Sequence, residues 1–471
     1  MDRDTVVAPL TACGVAAALS VIRVSGPRTE ELVRLFCSRA DEILSDPRRV
    51  FLSDIYDRRV GDLSCTELLD SALVVFFASP KSFTGEDVAE FSLHWTSFVP
   101  SRMIDNILSL GVRVADGGEF SRRAFENGKM DLSRAEAVAD LISAQSQQQA
   151  SLALGQLKGA VYDLVEGLAE PLRDLLAEVE ACIDFVDEEL FDEAQYSKDW
   201  HERLSCSLSE LRGYLASYDR GRICREGARV VISGTRNAGK STLLNAILGE
   251  GRAIVSDIAG TTRDCISERV LFDGVLARLW DTAGLVEDES SLGDPIERIG
   301  IGRSKELVDG AELLIYLFDP HGELGSQRKL FELISAKARE AIVVCSKSDL
   351  LSEGQMRELE LCAGSFDIFL SPLRGDGLGA LTKLVSERLK DIFSSGVDSA
   401  SAMVANARHY RALSDAALGI ERALAGIDEA APAEILAHEL RHVLSSMEEI
   451  VGSTETEDLL GRIFAQFCVG K

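Results

Sequence analysis

One stretch limits the fold of this chain more than any other. Residues 230–248 read VVISGTRNAGKSTLLNAIL: a β-rich apolar run, a glycine-bracketed loop and a helix-forming run. Gly234 to Ser241 matches GxxxxGK[ST] in the strand–loop–helix setting that a phosphate-binding P-loop needs. The glycines let the backbone turn its N–H groups onto a phosphate, and the helix N-terminus adds positive potential. Lys240 is placed to reach the β- and γ-phosphates, and Ser241 to ligate Mg2+. From residue 228 to about 390, strand-like runs (ARVVISG, LLIYLFD, AIVVCSK) alternate with helical ones, as a parallel sheet with crossover helices requires.

Two downstream motifs narrow the nucleotide. LWDTAG places Asp281 at the end of an apolar strand, where a Walker-B carboxylate helps to hold Mg2+, and Gly284 can offer its N–H to the γ-phosphate. VVCSKSD places Lys347 and Asp349 at the end of another strand. A carboxylate there accepts from both N1–H and N2–H2 of guanine, a pattern adenine lacks. The usual guanine motif is Asn-Lys-x-Asp; Ser346 replaces the Asn, which is expected to loosen the loop while leaving the selecting Asp. GTP is the expected nucleotide. Leu285 follows Asp-Thr-Ala-Gly, so the glutamine that orients water in Ras-like enzymes is missing and another group must do that work.

The flanks differ in character. Residues 1 to about 120 mix β-rich runs (LSVIRVSG, SALVVFFA) with helical spacing (TEELVRLFCSRADEIL, SRMIDNILSL), which reads as α+β. From Asp131 a helical stripe takes over: Leu157, Val161, Leu164, Leu168, Leu172, Leu175 and Val179 recur at steps of three and four. Pro171 within it predicts a kink or a break. Helical patterning resumes after SSGVDSASA through EILAHELRHVLSSMEEIV. An α/β block between two helical stretches reads as an inserted domain.

Composition removes several classes. A net charge of −27 is unlike a protein that grips nucleic acid through its own basic surface, so any RNA is expected to be held largely by a basic partner. The ten cysteines include no CxxC pair, which argues against a zinc knuckle or redox dithiol. The early apolar run is preceded by the net acidic Met1-Asp2-Arg3-Asp4 and interrupted by Pro9, unlike a signal peptide, and no segment has the length of a membrane helix. A cytoplasmic protein with reduced thiols is expected.

Together these residues resemble a known family. VSDIAGTTRD, DTAGL, IERIGI and the terminal FCVGK resemble the MnmE (TrmE) family of bacterial tRNA-modification GTPases, as do DTVVAPLTACG, SFTGEDVAEFSLH, GEFSRRAFENGKMDLSRAEAVADLISA and EVEACIDFVDEE. The resemblance implies a folate-binding and dimerising domain at 1–122, a helical domain at 123–222 and 393–471, and a G domain inserted at 223–392. It implies a nucleotide site of Asn237, Ala238, Gly239, Lys240, Ser241, Thr242, Ser256, Asp257, Ile258, Ala259, Gly260, Thr261, Thr262, Asp281, Thr282, Ala283, Gly284, Ser346, Lys347, Asp349 and Ser371. Thr262 would join Ser241 on Mg2+, and Glu297 would orient the attacking water through an intermediary. K+, held by Asn237, Ser256, Ile258 and Thr261, would take the place of an arginine finger as the G domains of a homodimer close.

For 5-formyl- or 5,10-methylene-tetrahydrofolate, Arg23, Glu90 and Lys129 match the family's binding positions. Donors on the pterin suit a carboxylate, and a glutamyl tail suits cations. The tail would fold back to bring Lys471 near the one-carbon unit, with Cys468 available for redox or nucleophilic help. The activity implied is formation of an aminomethyl or carboxymethylaminomethyl group on the wobble uridine of certain tRNAs. FAD would be carried by a partner subunit of the MnmG (GidA) type in a heterotetramer, consistent with the lack of a GxGxxG fingerprint here. Departures are His94-Trp95-Thr96 in place of His-Gly-Gly, Val286 in place of Arg, and a longer acidic switch segment, VEDESSLGDPIE. A ribosome-assembly GTPase without covalent RNA chemistry is the alternative, but it calls for a basic appendage that the sequence lacks. A folate module with a decayed GTPase is disfavoured by the intact Lys240, Ser241, Thr262 and Asp281.

Overall fold

The computed structural model describes residues 4–11, 17–58, 67–184, 193–249, 267–281, 308–363, 366–394, 404–453, 457–465, 467 and 470. Its first sheet comprises β1 (Val6–Pro9), β2 (Leu19–Ser25), β3 (Val50–Tyr56), β4 (Leu68–Phe77), β5 (Val88–His94) and β6 (Arg113–Val114), in the order β3-β4-β5-β2-β1-β6. Pairing is antiparallel except between β1 and β6. Strict alternation along β3, with Phe51, Ser53 and Ile55 buried and Val50, Leu52 and Asp54 exposed, gives the sheet a dry face and a wet one. Helices α1 (Thr29–Phe36), α2 (Ala40–Ser45) and α3 (Val99–Ser109) cover the dry face, where Leu32, Phe36, Ile43 and Met103 pack on Ile22, Val74 and Phe91. The run TEELVRLFCSRADEIL is therefore two helices, parted where Cys37 bridges to Ile55. On the other face α4 (Glu119–Glu126) sets Phe120 among Val6, Ala8 and Phe83.

Helices follow: α5 (Leu132–Ser143), α6 (Gln147–Leu157), α7 (Ala160–Asp184), α8 (Glu193–Ala216) and α9 (Tyr218–Glu226). One expectation is corrected here and a second in part. The stripe does not begin on one rod at Leu157, because Leu157 ends α6 and Gly159, at φ 108°, turns the chain before α7. Of the kink or break expected at Pro171, the break does not occur, since α7 continues through it to Asp184. The lost backbone bond is outweighed by burial of Val161, Leu164, Val165, Leu168, Leu172, Leu175 and Val179 along one face.

The second sheet comprises β7 (Ala228–Gly234), β8 (Ser267–Phe272), β9 (Val275–Asp281), β10 (Leu313–Phe318), β11 (Glu340–Cys345) and β12 (Ile368–Phe369), in the order β12-β11-β10-β7-β9-β8. All pairs are parallel except β8 with β9. Helices α10 (Lys240–Ile247), α11 (Leu324–Ser335), α12 (Glu353–Ala363) and α13 (Leu378–Ser394) accompany it. Every residue of β10 is buried, as a central parallel strand covered on both faces should be. The chain ends in α14 (Ala407–Asp428), α15 (Ala433–Val451), which packs on α7, and α16 (Glu457–Phe464). Two compact units result: Met1–Ile142, Gln156–Ser205 and Leu418–Lys471 form one, and Ser143–Gly155 and Cys206–Ala417 the other. The α/β block is thus inserted between helical segments. Among the described residues no helix is long and apolar enough to cross a membrane.

Candidate functional site

The central strand β7 delivers the P-loop. At Gly234, φ is 151° and an added Cβ would lie 2.5 Å from the Leu317 carbonyl oxygen, so both conformation and space demand glycine. Asn237 also takes a positive φ, and Gly239, at φ 96°, caps α10. Lys240 opens that helix, and its Nζ donates to the Gly234 and Thr235 carbonyls at 3.1 and 2.9 Å. Burial lowers its pKa, and the Asp281 charge pulls the other way. One turn of backbone thus holds a half-buried cation at the N-terminus of α10, an arrangement suited to a polyphosphate. Ser241 Oγ donates to Asp281 Oδ2 at 2.8 Å, bringing together a hydroxyl and a carboxylate from α10 and β9. Hard oxygen donors so placed fit Mg2+.

The residues expected to read guanine lie past β10 and β11. Lys347 sits in the left-handed region, and its Nζ pairs with Asp319 at 2.6 Å. Asp349 accepts from Ser371 Oγ at 2.7 Å, and that bond, helped by the Arg374 charge, holds its carboxyl below the usual range. Ser346 is fully buried and donates through its hydroxyl to the Ala238 carbonyl at 2.7 Å. The loosened loop expected from the missing asparagine is thus tied to the P-loop by a shorter side chain. Ser346→Ala is expected to destabilise this unit by about 1–3 kcal/mol, because the Ala238 carbonyl loses a buried partner. A lower melting temperature is the readout; an unchanged one would mean the bond contributes nothing.

Gln327, on α11, has no motif to announce it. Nevertheless its buried amide receives the Asp319 N–H at 2.8 Å, donates to the Asp319 carbonyl at 2.9 Å and accepts from Thr235 Oγ1 at 3.3 Å. It joins the P-loop to the strand end that carries Lys347's partner.

In the other unit, Arg23 of β2 and Glu90 of β5 are cross-strand partners. Arg23 donates from Nε and Nη2 to Glu90 Oε1 at 2.9 and 2.7 Å, with its guanidinium near the Phe83 and Phe120 rings. Lys129 is exposed, and its stem lies by Gly85, whose loop also carries Phe83. The tail lies on the same unit. Phe464 and Phe467 are buried with Leu132 and Ala135, and added Cβ atoms on Gly117 and Gly118 would each come 2.7 Å from a tail carbonyl. One on Gly470 would lie 2.2 Å from the Pro9 carbonyl oxygen, so Gly470 rests against the end of β1.

Known proteins match both units. The family described as GTP-binding protein TrmE N-terminus covers residues 5–129, and MnmE helical domain covers residues 132–468. A tRNA modification GTPase MnmE of Thermotoga petrophila is 36% identical over 99% of this chain and 100% of its own length. One from Neisseria meningitidis serogroup B is 38% identical, over 99% of each chain. The chain belongs to the MnmE family. It is accordingly a tRNA modification GTPase, a GTP-binding hydrolase built on a P-loop fold.

Given that membership, the residues expected from the sequence fall into several groups. Asn237, Ala238, Gly239, Lys240, Ser241, Thr242 and Asp281 converge at the P-loop, while Ser346, Lys347, Asp349 and Ser371 gather past the ends of β11 and β12. Arg23 and Glu90 meet each other rather than standing apart. Ser256, Asp257, Ile258, Ala259, Gly260, Thr261, Thr262, Thr282, Ala283, Gly284, Glu297, Cys468 and Lys471 lie outside the described residues. Burial pushes the Cys37 and Cys345 thiols up to about 12, so neither offers a thiolate at neutral pH.

Proposed function

We propose that this GTPase works as a K+-dependent homodimer that, with a FAD-carrying partner of the MnmG type and a tetrahydrofolate one-carbon unit, builds the aminomethyl or carboxymethylaminomethyl group on the wobble uridine of certain tRNAs in the cytoplasm. The observation that carries this reading is the docked tail, which sets Gly470 against β1 of the sheet that bears Arg23 and Glu90. A GTP switch alone would not need it.

Ser241, with Asp281 behind it and Thr262, would hold Mg2+, which supplies charge stabilisation at the β- and γ-phosphates. Asn237 would hold K+ with Ser256, Ile258 and Thr261, and Glu297 would orient water. Lys240 neutralises phosphate charge from a half-buried position. Asp349, kept ionised by Ser371, reads guanine. In the other unit Glu90 faces the pterin and Arg23 and Lys129 the acidic parts of the folate. The Arg23–Glu90 pair supports this, because it sets a cation and a carboxylate side by side as cross-strand neighbours on one sheet. Lys471 would sit by the one-carbon unit, with Cys468 close in sequence. The homodimer draws support from Val50 and Leu52 of β3, 57% and 56% exposed, with Leu73 of β4 opposite Leu52. Such an apolar strip on an open sheet face suits a second copy.

The test is the GTP hydrolysis rate in KCl against NaCl at equal ionic strength. An acceleration of at least about tenfold in KCl, lost in Asn237→Ala, is expected if the ion stabilises transition-state charge. Equal rates in both salts would sink the K+ reading.

A further inference from the structure

The loop after β12 reads Ser371-Pro372-Leu373-Arg374-Gly375-Asp376-Gly377, and it frames the face of Asp349. Guanine presents N1–H and N2–H2 to a carboxylate, and next to them on the same edge stands O6, an acceptor that needs a donor. Most donors near Asp349 are already committed. The Ser371 hydroxyl goes to Asp349 itself and the Ser371 amide to the Asp376 carbonyl. The Arg374 and Gly375 amides both go to the Ser371 carbonyl, at 3.2 and 2.9 Å. Lys347 Nζ is paired with Asp319. Pro372 has no N–H to give.

The Arg374 guanidinium is differently placed. Its Nε lies 3.8 Å from Asp349 Oδ2, beyond hydrogen-bond reach, and its side chain is 65% exposed and able to swing. We infer that Arg374 is a specificity residue that donates to guanine O6, taking over on this chain the recognition that the Pro372 backbone cannot make. The fork of an arginine matches O6 and N7 of guanine, and a charged donor strengthens the bond. The Leu373 amide is the rival donor, fixed in the backbone rather than carried by a charge. The inference rests on Asp349 as the guanine-reading carboxylate.

Binding of GDP and 6-thio-GDP, in which the oxygen becomes a poor acceptor sulfur, is measured by calorimetry on the full chain and on Arg374→Met. Arg374→Met is expected to weaken GDP about tenfold, the scale of one charged hydrogen bond at a partly wet site. Sulfur substitution is expected to cost the wild type a similar factor but to cost Arg374→Met less than about twofold. Two effects that simply multiply, or no effect of Arg374→Met, would overturn the inference in favour of the Leu373 amide. Asp349→Asn tests the underlying reading separately and is expected to shift preference from GDP to XDP, because an amide N–H can meet the xanthine C2 carbonyl. A GDP preference that survives Asp349→Asn would remove both the carboxylate reading and the inference; a shift to XDP with multiplicative sulfur effects would remove only Arg374.

Discussion

Lys240→Ala is expected to lower the GTP hydrolysis rate by about a thousandfold, with little loss of thermal stability. The two halves of that expectation come from the same geometry. Among the described residues Lys240 Nζ is bonded to two loop carbonyls, Gly234 and Thr235, which a water can serve almost as well. Burial lowers its pKa, so the folded unit carries this charge at a cost that alanine removes. Catalysis has no such substitute. Charge developing on the phosphates needs a fixed cation in a dry site, and losing one pre-placed donor of this kind costs about 10²–10³ in rate. Lys240→Arg is expected to fail as well, since a planar fork cannot replace a compact ammonium at the loop's centre. Single-turnover hydrolysis alongside a melting curve checks both. Hydrolysis within about tenfold of wild type would show that the P-loop amides carry the phosphate alone.

How much of this was legible beforehand depended on the range of the interaction. The P-loop, its strand and its helix could be read because all of their constraints are local: a strand, two glycines, one lysine and one hydroxyl within a dozen residues. The parallel sheet was legible for the same reason, through fully apolar runs such as LLIYLF, all six of whose residues are buried. What escaped was set by distant partners. Arg23 and Glu90 were found as separate charges, but the register that pairs them spans 67 residues. Pro171 predicted a kink or a break because the proline's own chemistry is local, while the face that holds α7 together is buried largely by α15 from far along the chain. Gln327 looks like any helical glutamine until the fold brings Thr235 and Asp319 to it. Even Ser346, noticed as a departure, gave only the loss of an asparagine; the bond to Ala238 that replaces it needed two strand ends brought side by side.

Gly470→Val is expected to separate the two activities, abolishing tRNA modification while leaving GTP hydrolysis within about twofold of wild type. Gly470 has φ 98°, where a β-branched residue is strained, and its Cβ would fall 2.2 Å from the Pro9 carbonyl oxygen. That contact is with backbone in β1, the strand between β2 and β6, so neither side can give without disturbing the sheet. Strain and clash together exceed about 3 kcal/mol, more than a chain end held by a few contacts can absorb, and the last residues should lift away. Phe464 and Phe467 remain anchored with Leu132 and Ala135, so the rest of the unit keeps its core and its melting temperature should fall little. The P-loop belongs to the other unit, with its own sheet and core. Modified nucleosides in tRNA from cells whose own copy is replaced by the variant provide the readout, with GTP hydrolysis measured on the same purified protein. Normal modification would mean that the docked tail is only a structural clasp, and the reading of Lys471 as part of the one-carbon site would fall with it. Loss of both activities would instead point to a general failure of folding, which the melting curve separates.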